Sequence, residues 1–128
     1  MRFTQGLETI DMNSEGKKIR SQRRFSPGGV NVNFVERLGN SRIAVRSFER
    51  GVEAETLSCG TGVSASVLCA ALDNKKSSGL FEVKTPGGQL QVAFKRQGKA
   101  AFSDLFLIGP AIHVYDGSIE LRHAHRMV

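Results

Sequence analysis

Two neighbouring stretches in the first half of the chain alternate between apolar and polar residues. Val, Val and Phe occupy every second position at the start of residues 30–38, and Ile43 and Val45 repeat the alternation within residues 42–49. A period of two is typical of half-buried strands. Residues 39–41, with the sequence Gly-Asn-Ser, suit a tight turn. The pattern therefore predicts a β-hairpin.

Residues 60–72 have a different pattern, which predicts a helix. Their side chains are small and apolar nearly all round, so this helix is expected to be buried on most sides. The polar residues 73–79 end it. A shorter helix is predicted to start at residues 13–15 and to run through residue 22, with Ser14 or Asn13 as its cap.

The second half of the chain has the pattern of strands joined by turns. Residues 50–58 are predicted to form a loop. Strands are predicted at residues 80–85, 89–95, 101–108 and 118–122. The expected fold class is α+β, a curved and mainly antiparallel sheet wrapped around one central buried helix. One domain is expected to span residues 1–128.

Composition narrows the class of protein. No apolar run approaches ~20 residues, so neither a membrane span nor a membrane partner is expected. Residues 1–5 lack the apolar core of a signal peptide. Two cysteines without an export signal favour reduced thiols and a cytoplasmic location.

The positive charge is concentrated in the first part of the chain. Residues 1–50 carry ten Lys and Arg against five Asp and Glu, within a formal net charge of +6. A nucleic-acid interface would also need a recognition motif or interleaved aromatic residues, and the sequence offers neither. The charge is better explained by a solvated face, or by one that meets a partner surface.

The stretch with most chemical content is Cys59-Gly60-Thr61-Gly62. Cys59 precedes a glycine-flanked helix start, where backbone N–H groups and the helix dipole favour the thiolate. The same N–H groups form an anion site of carboxylate size. A thiolate beside such a site can remove the α-hydrogen of a bound amino acid. The alternative is a buried structural cysteine beside a tight turn.

Glu49 and Arg50 favour the catalytic interpretation. They end a predicted strand that leads towards the same region, and an arginine can hold a carboxylate through two hydrogen bonds. Their alternative is a surface ion pair.

Several motifs resemble those of one known family. Residues 49–51 and 55–62 resemble the carboxy-terminal signature of the diaminopimelate epimerases, and residues 29–35 resemble the substrate-binding asparagine segment of that family. Later landmarks follow in the same order at residues 85–90, 109–111 and 114–117. The likeness extends from about residue 7 to residue 120.

The resemblance implies the carboxy-terminal half of a diaminopimelate epimerase. Such an enzyme is an isomerase that interconverts LL- and meso-diaminopimelate without pyridoxal phosphate, metal or any other cofactor, in lysine and peptidoglycan precursor synthesis. It uses two cysteines on opposite faces of the substrate, one as base and one as acid. Each cysteine comes from a different pseudo-symmetric half, so an amino-terminal half is the implied partner.

The resemblance also assigns roles to individual residues. Cys59 matches the catalytic thiol of the second half, and Glu49 is implied to tune the acidity of that thiol. Tyr115 matches a dimer contact, which implies a homodimer. Substrate binding is assigned to Asn31, Glu49, Arg50 and the backbone of Gly60 and Thr61.

Two departures from the family pattern stand out. The loop after Arg50 is usually Gly-x-Gly, whereas here residues 51–54 read Gly-Val-Glu-Ala and are one residue longer. This raises the question of how Arg50 registers against Cys59, and whether Glu53 or Glu55 intrudes. The first half of the family chain, with its own catalytic cysteine, is not part of this sequence, so the chain alone is expected to be inactive.

The second cysteine and the histidines have weaker claims to the site. Cys69 lies ten residues beyond Cys59 on the same predicted helix and is interpreted as core. His113 is expected to pack or to hydrogen-bond at the surface, and His123 and His125 lie in a polar tail, where metal binding would need more ligands.

Three alternatives stay open beside the leading interpretation. One is a non-catalytic half-domain that acts as a binding or assembly module and exposes the apolar surface meant for its partner. Another is a related racemase or isomerase of the same superfold. The last is a thiol hydrolase, which needs a histidine within hydrogen-bond reach of Cys59.

Overall fold

The computed structural model describes residues 1–120, and these form one mixed sheet with a helix on each face. The predicted α+β class is confirmed. Of the six strand pairings in the sheet, four are antiparallel and two are parallel. Short 3₁₀ turns lie at Leu7–Thr9 and Arg23–Phe25. In chain order the elements are β1 (Arg2–Phe3), α1 (Met12–Arg20), β2 (Val32–Gly39), β3 (Arg42–Glu49), β4 (Ala54–Thr56), α2 (Gly60–Asp73), β5 (Ser78–Thr85), β6 (Gly88–Arg96) and β7 (Phe102–Ile108).

The strands lie in the order β1-β2-β3-β5-β6-β7, and β3 has two partners along one edge. Its last residues, 47–49, pair antiparallel with β4, and its first residues, 42–44, pair parallel with β5. The chain therefore leaves β3 through β4, crosses one face of the sheet as α2, and returns as β5. This crossover places the start of α2 beside the end of β3.

Helix α2 packs its small residues against one face of the sheet. Its buried positions recur at intervals of three and four, which places them on a single side of a helix. The outward side is more exposed than the composition suggested, because Thr61 and Ala65 face solvent and Cys69 is half-buried at the margin of the core. The buried residues are Gly62, Val63, Ser66, Val67, Ala70 and Ala71.

Helix α1 covers the opposite face through a contact that needs a glycine. Gly16 lies directly against the ring of Phe48, where an added Cβ would overlap the ring carbons. Phe48 is 1% exposed and belongs to a second apolar cluster that includes Leu7, Met12 and Phe34. Both faces of β2 and β3 are thus covered, and Val35 and Val45 are buried on the α2 side.

The first helix starts one to three residues before the predicted position, and its predicted cap is wrong. Asp11 is the cap, not Ser14 or Asn13, and its carboxylate accepts from the backbone N–H of Ser14 at 3.1 Å. A carboxylate at this position both satisfies an unpaired N–H group and complements the helix dipole. The helix consequently starts at Met12, whose side chain is 2% exposed.

Other predicted boundaries differ less. The hairpin and the strands β5 to β7 are confirmed within two residues at each end. The loop predicted for residues 50–58 contains the short strand β4, which was missed. The strand predicted at residues 118–122 is not found in its described part, because residues 109–120 form no helix or strand. The remainder of that strand, with His123 and His125 beyond it, lies outside the described residues.

Residues 105–108 and the segment after them carry large apolar side chains that the fold leaves uncovered. Phe106 is 61% exposed, and Ile112, Val114, Tyr115 and Ile119 are each at least 80% exposed. Strand β7 is also the last strand of the sheet, so its outer edge is unpaired among residues 1–120. Within the same residues, no helix is both long and apolar enough to cross a membrane.

Gly62 allows a test of how closely α2 approaches the sheet. A Cβ at this position would overlap the side-chain amide of Asn33, which is buried and accepts from Ser47 Oγ at 2.7 Å. We expect Gly62→Ala to lower the free energy of unfolding by about 2–3 kcal/mol, measured by urea denaturation.

Gly60→Ala is the matched control in the same helical turn. Its Cβ would meet only the end of the Leu107 side chain, at 2.9 Å, and that side chain can move. The expected loss is below about 1 kcal/mol. Equal losses in the two variants would contradict the inferred close contact at Gly62.

Candidate active site

Cys59 stands immediately before α2, as the residue that caps its first turn. It is 6% exposed, and its carbonyl accepts from the backbone N–H of Val63 at 2.8 Å. The Cys59 side chain makes no capping hydrogen bond of its own. The first N–H groups of α2 are therefore not satisfied by the thiol, and they remain suited to an anion.

Among residues 1–120, two polar side chains lie within hydrogen-bonding distance of the sulfur. Asn31 Nδ2 lies 3.8 Å from Cys59 Sγ, and Thr61 Oγ1 lies 3.5 Å from it. Both are hydrogen-bonding groups, so the thiol has polar neighbours despite its burial. A cysteine that served only as core packing would have apolar ones.

Asn31 connects the sulfur to the end of β3. Its Oδ1 accepts from the backbone N–H of Arg50 at 2.9 Å, while its Nδ2 is directed at Cys59. The side-chain amide of Asn31 therefore contacts two other candidate site residues, Cys59 and Arg50. The structure brings Asn31, the backbone of Arg50 and Cys59 together.

Glu49 precedes Arg50 in the chain, and its carboxylate bonds to strand β4. Its Oε1 accepts from Thr56 Oγ1 at 2.6 Å, across the pairing of β3 with β4. Among the described residues it forms no hydrogen bond with Cys59. Any effect of Glu49 on the thiol would act through space or through substrate.

Arg50 has no carboxylate partner within residues 1–120. Its Nη1 donates to the carbonyl of Gly28 at 3.2 Å, and its backbone N–H is taken by Asn31. The guanidinium is exposed and retains further donors. It is therefore able to bind a carboxylate from outside the chain.

The longer loop does not disturb this arrangement. Its extra residue is taken up in a turn that closes when Glu53 N–H donates to the Glu49 carbonyl at 2.8 Å. Gly51 and Glu53 both adopt positive φ angles, of 90° and 58°. Strand β4 then pairs in register with β3, so neither Glu53 nor Glu55 hydrogen-bonds to Cys59.

Arg46 lies in β3 and connects this strand to two other segments. It forms a two-point ion pair with Glu55, with Nε–Oε1 and Nη2–Oε2 distances of 2.7 and 2.8 Å. The pairing with Glu55 raises the pKa of the Arg46 guanidinium. Arg46 Nη1 also donates to the carbonyls of Leu7 and Ile10, which ties the segment before α1 to the sheet.

A cleft of about 540 Å³ lies beside this ion pair, and Arg46, Glu55 and Lys84 are among the residues that line it. Cys59 does not line it. The donors of Arg46 are already bound to protein acceptors, so the cleft offers no arginine to an incoming anion.

Two contacts from later parts of the chain also support the segment around Cys59. The backbone N–H of Gly87, in the turn between β5 and β6, donates to the carbonyl of Leu57 at 2.8 Å. Leu107 of β7 reaches the start of α2 at Gly60. The family resemblance at residues 85–90 had indicated that the turn at Gly87 matters. Nothing in the sequence pattern indicated the contact of Leu107 with Gly60.

The remaining candidate residues lie apart from the sulfur. His113 pairs with Asp116 at 3.0 Å and forms no bond with Cys59, so residues 1–120 provide no base for a thiol hydrolase. Tyr115 is 80% exposed in the segment after β7. His, Cys, Asp and Glu side chains in the described range form no group of three that could hold a metal ion.

Comparison with known proteins agrees with the motifs. The family model described as diaminopimelate epimerase matches residues 3–114. The chain is 36% identical to the diaminopimelate epimerase of Flavobacterium psychrophilum, over 93% of this chain and 46% of the relative. It is 39% identical to that of Chlorobaculum tepidum, over 93% and 45%, and 40% identical to that of Methanocella arvoryzae, over 93% and 40%. The chain thus spans less than half the length of these relatives.

The ion pair of Arg46 leads to a stability test. The side chains of Arg46 and Glu55 are 18% and 26% exposed, so removing the arginine leaves a carboxylate and two carbonyls half-buried without their donor. We expect Arg46→Leu to lower the free energy of unfolding by about 2–4 kcal/mol in urea denaturation. The double change R46L/E55L should recover part of the loss, since it removes the unpaired charge.

Arg42→Leu on the same strand is the control. Arg42 pairs with Glu82 at 3.4 Å, but both side chains are more than 60% exposed. The expected loss is below about 0.5 kcal/mol. A loss at Arg42 as large as that at Arg46 would refute the distinction drawn between the two pairs.

Proposed function

Because the chain belongs to the diaminopimelate epimerase family, we propose that it forms the carboxy-terminal half of a cofactor-independent enzyme that interconverts LL- and meso-diaminopimelate. The observation that carries the proposal is the contact of Asn31 with both Cys59 Sγ and the Arg50 backbone. It joins the thiol at the start of α2 to the backbone of Arg50, whose guanidinium is exposed.

The chemistry assigned to this half is transfer of one proton. The Cys59 thiolate takes the α-hydrogen from one face of the substrate, and the N–H groups of Gly60 and Thr61 stabilise the charge that develops on the α-carboxylate. Arg50 binds a carboxylate, and Asn31 holds the sulfur in position. On the reverse reaction the Cys59 thiol returns its proton to the same face.

Inversion by two thiols requires a second cysteine on the opposite face, and Cys69, the other cysteine of the chain, cannot serve. Cys69 lies ten residues further along α2, about 15 Å along the helix axis, so one Cα cannot lie between both sulfurs. The second thiol is therefore assigned to the amino-terminal half. The enzyme takes a proton onto one sulfur and delivers a different proton from the other.

The uncovered apolar surface supports this division of labour. Strand β7 and residues 109–120 expose apolar side chains that an amino-terminal half would bury. Tyr115, in the same segment, is our candidate for a contact across a homodimer. Both cysteines are free thiols, which suits a cytoplasmic enzyme of lysine and peptidoglycan precursor synthesis.

The same exposed surface is what favours the second candidate function, a half-domain that serves only to assemble with a partner. The two candidates differ in what they require of Cys59. Catalysis depends on its sulfur, whereas assembly depends on β7 and the segment that follows it.

A chimera tests the proposal. In it this chain replaces the matched segment of the Flavobacterium psychrophilum enzyme, and conversion of LL- to meso-diaminopimelate is followed by NMR. We expect the chimera to be active, Cys59→Ala to reduce kcat by at least about 10²-fold, and Cys69→Ala to leave it near the unsubstituted value. A folded chimera that keeps its activity without Cys59 would refute the catalytic assignment.

The chain on its own provides the complementary measurement. Incubated with diaminopimelate in deuterated water, it should show no epimerisation and little or no exchange of the α-hydrogen, because half a pocket cannot close around the substrate. Exchange that disappears in Cys59→Ala would mean that the half-site deprotonates substrate unaided, contrary to this expectation.

A further inference from the structure

An ion pair joins the end of α1 to the loop after Arg50. Arg20, the last residue of α1, places its Nη2 2.9 Å from Glu53 Oε1. Glu53 is the Glu of the longer loop and has a φ of 58°. The pair therefore links a distant element to the backbone that carries Arg50.

Arg20 and Arg50 both contact the turn at residues 28–29. The Arg20 guanidinium lies against Gly29, where an added Cβ would approach Cζ to 3.0 Å and where φ is +69°. Arg50 Nη1 binds the carbonyl of Gly28. Two residues later the chain reaches Asn31, so both arginines abut the segment that positions the side chain in contact with Cys59.

Glu53 is held inside its own loop as well. Its Oε1 also accepts from the backbone N–H of Gly51 at 2.9 Å. Arg20 compensates the charge of this carboxylate. Without Arg20, a negative charge would stand uncompensated three residues from Arg50, where it would compete for the guanidinium and repel an anionic ligand.

We propose that Arg20 is a positioning residue for anion binding at the Cys59 site, because it neutralises Glu53 and leaves Arg50 available to a substrate carboxylate. The inference rests on the proposed function, in that Arg50 and Cys59 belong to one substrate site. Arg20 itself is assigned no contact with the substrate.

A purely structural role for the pair makes a different prediction. If Arg20 only anchored the loop, its loss would alter access to Cys59 for charged and neutral molecules alike. If it sets the charge near Arg50, its loss would act selectively on anions. The test therefore compares two reagents of nearly equal size, iodoacetate and iodoacetamide, as alkylators of Cys59.

The experiment uses the full chain with Cys69→Ala, so that Cys59 is the single thiol that reacts. The quantity measured is the rate constant with iodoacetate divided by that with iodoacetamide, which cancels differences in accessibility. We expect Arg20→Gln to lower this ratio about two- to fivefold, the range found for exposed ion pairs, and to do so less at high salt. R20Q/E53Q should return the ratio to the starting value.

Lys18→Gln is the matched control. It removes the same charge from the same helix, but Lys18 pairs with Glu15 at 3.6 Å and is 74% exposed. Its ratio should stay unchanged. An unchanged ratio in Arg20→Gln, or a reduced ratio that Glu53→Gln does not restore, would overturn the proposal. If Arg20→Gln does not fold, Glu53→Gln alone decides the matter, since removal of the carboxylate must raise the ratio.

The outcome is separate from that of the epimerase assay. A chimera that fails to epimerise, together with a ratio that responds to Arg20, would refute the proposed function and retain the charge assignment. An active chimera with an unresponsive ratio would do the reverse.

Discussion

The approach of α2 to the sheet at Gly62 is the constraint on which the site depends. Because position 62 has no side chain, the first turn of α2 can lie directly on the Asn33–Ser47 hydrogen bond. Asn33 on β2 is two residues after Asn31, and Ser47 on β3 is three residues before Arg50. The same contact that packs the core therefore fixes the distance between the sulfur and the groups around it. In this fold the geometry of the site therefore depends on the packing of the core at Gly62.

The end of β3 is also held in place by specific contacts. Strand β4 pairs with β3 over three residues, and this pairing directs Glu55 to Arg46 and brings Thr56 to Glu49. The longer loop forms the turn between the two strands, which Glu53 closes on Glu49. An insertion at a turn leaves the register on either side intact when the strands pair on their own, which explains why a longer loop is compatible with the site.

Sequence patterns predicted the hairpin, α2 and the later strands because each has a local period that burial imposes. The approach of Arg50 to Cys59 was predicted from the strand that ends there, whereas Asn31 was included only through resemblance to a family, since periodicity does not state which strand ends meet. Strand β4 has three residues, which are too few to show a period. It is recognised as a strand only by its pairing with β3. Arg20 and Glu53 are 33 positions apart, so no local sequence pattern predicts their ion pair. The cap of α1 was missed because three neighbouring polar residues, Asp11, Asn13 and Ser14, could each serve.

The crossover from β3 through α2 to β5 has a consequence for the order of folding. The hairpins β2–β3 and β5–β6 close over turns of two residues, whereas β3 meets β5 through a pairing of Arg42 with Glu82. Closing that long segment costs more chain entropy than closing either turn, so we expect both hairpins to form before they join. Helix α2 lies within the segment that closes last. The thiol would then acquire its polar neighbours late, and nascent chains would expose a reactive sulfur until the two hairpins dock.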